Sequence, residues 1–169
     1  MAGENDLHEV PIDSAEFRRV LGHYPTGVCA ITATGADGMP VGMVVGTFTS
    51  VSLDPPLVGF LPDKSSSSWP LIEAAGAFCA NIFAADQMAA CRQLASRGAD
   101  KFAGVDYALS ENSLPLIEGC IARIECRLHG VIDAGDHWFV LGRVIAMDAV
   151  GGDPMLFNRG QYGGFAGPA

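Results

Sequence analysis

Charged residues are few in this 169-residue chain, and cations are the scarcer kind. Only 17% of the residues are charged, and ten Lys and Arg residues face nineteen Asp and Glu residues, which gives a formal net charge of −9. Because nucleic-acid backbones are bound by clustered Lys and Arg, this composition speaks against nucleic acid as the main partner. Apolar residues make up 49% of the chain, which favours a compact globule. With so little surface charge, we expect an oligomer that hides apolar patches.

Several common motifs are also missing, and each absence argues against a class of function. The chain has no Gly-Lys dipeptide and therefore no Walker A loop, and no GxGxxG pattern follows a predicted strand. No GxSxG pattern supports a hydrolase. The histidines lack the HExxH spacing and fall in different predicted elements, so we predict no metal site. They are His8, His23, His129 and His137.

The cysteines and the apolar runs bear on location. The five cysteines are an odd number and contain no CxxC pair, which predicts buried free thiols. No apolar run approaches the roughly 18 residues of a membrane-spanning helix, and the polar N-terminus has no secretory apolar region. We therefore expect a cytoplasmic protein without a membrane partner.

Hydrophobic periodicity predicts about six strands in hairpin order with two short helices inserted, which indicates an antiparallel barrel. The absence of a βαβ rhythm weighs against a Rossmann sheet. We expect a flexible segment over residues 1–12 and one domain over residues 13–169. The predicted strands cover residues 28–34, 41–52, 57–61, 78–82, 120–128 and 137–149.

Capping signals predict where the helices begin and end. Asp13 and Glu16 resemble a capping box that begins a helix over 13–21, and Gly22 suits its C-terminal end. A short helix is predicted over 69–75. Asp86 is expected to cap another helix, which Gly98 stops. Residues 106–118 are predicted to be an irregular connection.

Residues 41–70 carry the chemistry that stands out. Hydroxyl residues follow a strand that is interrupted by Gly42 and Gly46, and Lys64 precedes a run of four serines. Hydroxyls, backbone N–H groups and one cation suit a phosphate. Glycines in a strand suit a flat ligand that lies against the backbone. Our hypothesis from these residues is that the segment binds a flavin nucleotide.

Each of these signals also has an ordinary structural explanation. The serine run is equally typical of a plain loop, and His137 is typical of an exposed hairpin residue. Lys101 and Phe102 suit a charged helix end beside a core aromatic residue. Thr26 suits a turn hydroxyl. No single signal decides the function.

Six motifs occur together and in order: FRRVLGHYPTGVCAITA (17–33), GMVVGTFTSVSLDPPLVGF (42–60), DKSSSSW (63–69), DKFAGV (100–105), GDHWFVLGRV (135–144) and PMLFNRGQYG (154–163). Through them the chain resembles the short-chain NAD(P)H:flavin reductase family over residues 14–163. The resemblance implies a mainly β fold, an antiparallel Greek-key split β-barrel (the FMN-binding split barrel) with a few short helices. It also implies a homodimer with flavin near the subunit interface.

The resemblance implies an activity as well. NADH or NADPH would reduce FMN or FAD, and the reduced flavin would be supplied to a separate oxygenase component, as in two-component monooxygenases. Two alternatives stay open: a flavin enzyme with another acceptor, and a non-catalytic flavin or haem carrier on the same barrel.

Site residues follow from the same resemblance. A catalytic and nicotinamide-binding role falls to His137, and further substrate-binding roles fall to Thr26 and Tyr162. The residues expected along the flavin ring and ribityl chain are Val45, Gly46, Thr47, Phe48, Thr49, Ser50, Val51 and Ser52. Those expected around the phosphate are Lys64, Ser65, Ser66, Ser67, Lys101 and Phe102.

Overall fold

The computed structural model describes residues 9–98 and 100–165. Within them the helices are α1 (Ser14–Leu21), α2 (Trp69–Ala75) and α3 (Met88–Leu94). The predicted segment 1–12 lies partly outside the described residues, and its boundary with a single following domain stays a prediction. No helix in the described ranges is long and apolar enough to cross a membrane.

The start of α1 is the one that the sequence predicts. The Asp13 carboxylate accepts the backbone N–H groups of Ala15 and Glu16 at 2.9 and 2.8 Å, which satisfies two donors of the first turn. The reciprocal half of the capping box does not form, because the Glu16 side chain binds Arg19 at 2.7 Å instead. Gly22 ends the helix in the right-handed conformation, with φ of −60°.

The boundaries of α3 differ from the prediction. Asp86 does not cap the helix; Gln87 takes that position without a side-chain cap. The Gln87 side chain is used elsewhere, since it accepts the Ala84 N–H at 2.9 Å and donates to the Glu118 carbonyl at 2.7 Å. The helix also ends at Leu94, ahead of Gly98. By contrast, α2 ends as predicted, with Gly76 in the left-handed conformation at φ of 69°.

Antiparallel pairing connects seven strands into one sheet, in the order β3-β2-β6-β9-β10-β5-β4. The smaller sheets are β1-β11-β12 and β7-β8. The strands are β1 (Thr26–Gly27), β2 (Cys29–Thr34), β3 (Pro40–Val45), β4 (Thr49–Leu53), β5 (Pro56–Phe60), β6 (Ala77–Ile82), β7 (Tyr107–Leu109), β8 (Pro115–Ile117), β9 (Ala122–Ala134), β10 (His137–Ala149), β11 (Met155–Asn158) and β12 (Gln161–Gly164).

The predicted strand 41–52 is wrong as one element. It is two strands, β3 and β4, which stand at opposite ends of the sheet order and do not pair within the described chain. Residues 46–48 leave the sheet between them. There the Thr47 hydroxyl accepts the Leu61 N–H at 2.9 Å, which fixes the crossing to the end of β5. Hydrophobic pattern could not show this break, because the β-branched residues continue through it.

Residues 106–118, predicted to be irregular, contain the hairpin of β7 and β8. Buried polar groups on the main sheet hold this hairpin. The Thr32 hydroxyl donates to the Pro115 carbonyl at 2.6 Å, and the Asn81 side-chain oxygen accepts the Ile117 N–H at 2.8 Å. The hairpin therefore depends on tertiary hydrogen bonds, which the sequence pattern of a three-residue strand does not predict.

The core lies on both faces of β2 and β6 in two clusters, one centred on Phe60 and Phe78 and the other on Phe83 and Leu94. All five cysteines are free and buried, which confirms the prediction. Burial raises the pKa of the Cys79, Cys120 and Cys126 thiols to about 12. These thiols therefore pack as apolar groups and do not serve as nucleophiles.

Two glycines make room for aromatic rings of the same chain. A Cβ atom on Gly42 would lie 3.2 Å from Cε2 of Phe102. The close approach predicted for a flat ligand at Gly42 is therefore occupied by a protein side chain. A Cβ on Gly142 would overlap the Phe78 ring and lie 2.9 Å from Cβ of Cys126.

Gly142→Ala is expected to lower the free energy of unfolding by about 1–3 kcal/mol, because an extra methyl group in a packed core forces its neighbours to move. Gly130→Ala is the matched control, since a Cβ on this glycine of β9 meets nothing within 4 Å. Urea unfolding of both variants measures the difference. Equal midpoints for the two would contradict the packing role of Gly142.

Candidate functional site

The predicted flavin-ring residues converge on Gly46, where the chain crosses from β3 to β4. A Cβ on Gly46 would lie only 2.8 Å from the Thr26 hydroxyl oxygen, so the Thr26 side chain of β1 occupies the space where a side chain of residue 46 would stand. Gly46 and Thr26 are therefore neighbours although 20 positions separate them in the chain. Gly46 is half-buried, with the Thr26 side chain packed against it.

Three adjoining cavities share Gly46 in their walls. The largest, about 990 Å³, lies between this crossing, α1 and the β11–β12 turn, and includes Thr26 and Thr47. A second, of about 480 Å³, adds Phe48 and Thr49. A third, of about 190 Å³, includes Val45 and Tyr162. The fold thus brings most of the residues predicted for the ring and the substrate to one place.

Ser50, Val51 and Ser52 lie apart from that place, on β4. This strand stands at the end of the sheet, and among the described residues it pairs with β5 alone. The register shifts between Ser50 and Ser52, so Val51 lies in a bulge and its side chain is exposed. These residues belong to an exposed strand edge.

Part of the predicted phosphate group is assembled around Ser68. Lys101 donates from Nζ to the Ser68 hydroxyl at 2.9 Å, and burial lowers the pKa of this ammonium. Ser67, Ser68 and Lys101 line a cavity of about 710 Å³ together with Arg97. Phe102 lies beside them, packed edge-on against Tyr107 at 5.3 Å. A cation and a hydroxyl in a half-buried cavity suit a phosphate.

Lys64 lies elsewhere in the same loop. Its ammonium pairs with the Asp133 carboxylate and stands 4.4 Å from the ring centre of Trp138. That pair holds the pKa of Asp133 below its usual range. The Lys64 N–H also donates to the Asp136 carbonyl at 3.0 Å. The structure therefore joins Lys64 to the β9–β10 turn and not to Lys101.

Hydrogen bonds within the loop position the other two serines. The Ser65 N–H donates to the Asp63 carboxylate at 2.7 Å, and hydrogen bonds from Ser65 hold the pKa of Asp63 below its usual range. The Ser66 hydroxyl accepts the Trp69 N–H at 3.3 Å, at the start of α2. Ser66 thus serves the helix start, and Ser65 closes a turn.

His137 is placed at the β9–β10 turn beside this loop. Its backbone forms a bridge with Asp63, and the neighbouring Trp138 N–H donates to the Pro62 carbonyl at 3.0 Å. Its Nδ1 lies 2.7 Å from the Asp136 carboxylate, and the imidazole is partly exposed. Within the described chain His137 is not in the wall of the cavities at Gly46.

Sequence reasoning missed the cationic wall of the largest cavity. Arg18, His23 and Arg159 line it beside Thr26 and Gly46. A signal was present in the sequence, because Arg159-Gly160 separates two short strand patterns as a two-residue turn. The sequence pattern does not predict that α1 lies against that turn.

Comparison with known proteins identifies the family. A family described as "Flavin reductase like domain" matches residues 21–166. The chain belongs to this family. The predicted family and the mainly β, antiparallel fold are confirmed.

Several relatives of this flavin reductase-like chain match it over most of their length. A flavin reductase of Pseudomonas putida is 56% identical over 156 residues, covering 92% of each chain. The reductase subunit of a flavin-dependent monooxygenase of Rhodococcus jostii is 44% identical, covering 97% of this chain and 84% of that one. The NADH:FAD oxidoreductase of Streptomyces globisporus, solved with NAD and FAD fragments, has a TM-score of 0.86 at 38% identity, covering 91% of this chain and 93% of the other.

Proposed function

We propose that this protein is an NAD(P)H:flavin oxidoreductase that transfers hydride from NADH or NADPH to FMN or FAD. The observation that carries the proposal is the match of residues 21–166 to the flavin reductase-like domain. Relatives named for NADH-dependent reduction of FMN and of FAD support the choice of cofactors. The monooxygenase reductase subunits among the relatives support delivery of reduced flavin to a separate oxygenase component.

The residues around Gly46 fit a flavin. Gly46 brings no side chain of its own to the cavities that it lines, and Thr47 and Thr49 add hydroxyls there. A bound flavin supplies the hydride acceptor, and the nicotinamide supplies the hydride. The role of the protein is to hold the flavin and nicotinamide rings together and to present N–H donors where negative charge develops on the flavin. Thr47 helps to do so by holding the crossing rigid through Leu61.

The phosphate site that we propose is the group Ser65, Ser66, Ser67, Lys64 and Lys101, with Phe102 packed behind it. Lys101 has the stronger support, because its only described side-chain partner is the neutral Ser68 hydroxyl. Lys64 would first have to leave the Asp133 carboxylate. An anion beside Lys101 would favour the charged ammonium that burial disfavours.

We propose that His137 binds the nicotinamide amide at the entrance to the flavin, with Asp136 holding the imidazole in position. Thr26 and Tyr162 complete the substrate side of the site.

A homodimer is proposed from the apolar surface of the described chain. None of the residues of α1 is buried, and Phe17, Val20 and Leu21 are about half exposed. Ile132, in β9, is exposed as well. Burying such surface drives association. Sedimentation equilibrium should give twice the monomer mass of 17.6 kDa, and a monomer at micromolar concentration would contradict this.

We propose the cytoplasm as the location of the protein.

The function is tested by mixing the purified protein with FMN and NADH, or NADPH, in air. We expect flavin-dependent oxidation of the nicotinamide with a turnover number on the order of 10 per second. NADH loss no faster than with free FMN would reject the proposal. Bound flavin without turnover would favour a carrier, and turnover only with an added acceptor would favour the other flavin enzyme class.

Lys101→Met is expected to weaken FMN about 10- to 100-fold while changing riboflavin little, because only FMN carries the phosphate and a hydrogen bond to a charged group contributes about 1.5–3 kcal/mol. Lys64→Met is the matched comparison and should show a smaller selective loss. Quenching of flavin fluorescence measures both affinities. Equal losses for the two ligands in Lys101→Met would exclude Lys101 as a phosphate contact.

His137→Ala is expected to raise KM for NADH several-fold and to leave the dissociation constant of FMN unchanged, because the imidazole is proposed to contact only the nicotinamide. His129→Ala is the control. His129 is exposed on β9 and lies eight positions before His137 in the chain. Steady-state kinetics at saturating FMN measure KM. An unchanged KM in His137→Ala would remove this histidine from the site.

A further inference from the structure

The wall of the largest cavity is cationic, although the protein as a whole carries a net charge of −9. Arg18, Arg19 and Arg159 all contribute to it, and no Asp or Glu is among its described lining residues. Arg19 is neutralised by Glu16, with which it forms two contacts of 2.7 Å. Arg18 and Arg159 have no carboxylate partner within the described chain. Two guanidinium groups are therefore available at one cavity.

Arg159 stands in a backbone conformation that arginine seldom adopts. Its φ is 51° and that of Gly160 is 78°, and the two residues connect Asn158 to its partner Gln161. Such a two-residue turn requires positive φ at both positions and favours Asn-Gly. An arginine here is strained relative to asparagine, and strain of this kind is concentrated at ligand-binding sites.

The turn is also fastened to the opposite wall of the cavity. The Arg159 N–H donates to the Gly22 carbonyl at 3.2 Å, directly after α1. Arg18 projects from α1 itself, where its guanidinium donates to the neutral Ser14 hydroxyl at 3.0 Å. Both walls that carry the arginines are thus held in a fixed relation to each other and to Gly46.

We propose that Arg18 and Arg159 bind the diphosphate of the dinucleotide substrate, with its adenosine half in the cavity between α1 and the β11–β12 turn. The inference rests on the proposed function, because the nicotinamide must reach the ring site at Gly46, which the same cavity contains. Guanidinium groups match phosphate oxygens through paired N–H donors. A cavity of about 990 Å³ is of the size that takes a ligand of this class. The exposed ring of Tyr24 in the same wall offers a surface for the adenine.

FAD contains a diphosphate like that of the nicotinamide dinucleotide. The experiment therefore measures the binding of nicotinamide and adenine nucleotides separately from the binding of flavins. The variants are Arg159→Asn, which suits the positive φ of the turn, and Arg18→Gln, on a separate element. Arg143→Gln is the matched control, because Arg143 is exposed on β10 and lines none of the cavities described. Calorimetry on the FMN-loaded protein measures the affinity of ADP and NAD⁺, and fluorescence quenching measures FMN and FAD.

We expect ADP and NAD⁺ to bind about tenfold more weakly in each variant, as expected for the loss of one charged contact. FMN affinity and the control should not change, and the salt dependence of ADP binding should fall. Unchanged ADP and NAD⁺ affinity in both variants overturns the inference. A loss confined to FAD overturns it too, in favour of a flavin adenylate site.

Failure of this inference is distinguishable from failure of the proposed function. Wild-type protein that oxidises NADH, with variants that bind ADP as the wild type does, leaves the function standing and overturns the inference. Wild-type protein without turnover rejects the function, and arginine-dependent ADP binding would then still support the cavity as a diphosphate site.

Discussion

The close approach of the chain at Gly46 to Thr26 is the constraint on which the site depends. A Cβ there would lie 2.8 Å from the threonine oxygen, so a side chain at residue 46 would displace that of Thr26. The crossing between β3 and β4 passes beside β1 at this contact, and β3 and β4 do not pair with each other within the described chain. The Thr47–Leu61 hydrogen bond holds the crossing from its other side. Three cavities meet at this crossing, and Gly46 lies in the wall of each.

A second fixed point joins distant parts of the chain beside the first. Pro62 and Lys64 exchange backbone hydrogen bonds with Trp138 and Asp136, so the serine loop and the β9–β10 turn form one unit. Leu61 connects this unit to Thr47. The residues proposed for the ring, the phosphate and the nicotinamide thus stand on a scaffold of strands linked by main-chain hydrogen bonds, which is the kind of support that preorganised sites require.

Much of the fold was readable from the sequence where local chemistry decides it. The Asp13 cap, the Gly76 helix end and the long β9–β10 hairpin follow from capping and alternation alone. The break at residues 46–48 did not follow, because the residues in contact with it, Thr26 and Leu61, lie elsewhere in the chain. The β7–β8 hairpin did not follow either, since Thr32 and Asn81 supply its support from another sheet. Gly42, expected to face a ligand, faces Phe102 for the same kind of reason.

By itself the sequence determined the family and the antiparallel β architecture, because motif order and two-residue alternation are local properties of the chain. Only the tertiary structure decided which predicted residues share a cavity. It joined Lys101 to Ser68, turned Lys64 toward Asp133, and set Arg18 and Arg159 on facing walls beside Gly46. These pairings depend on the three-dimensional path of the strands. The spacing of residues along the chain does not give the distances between them in the folded protein.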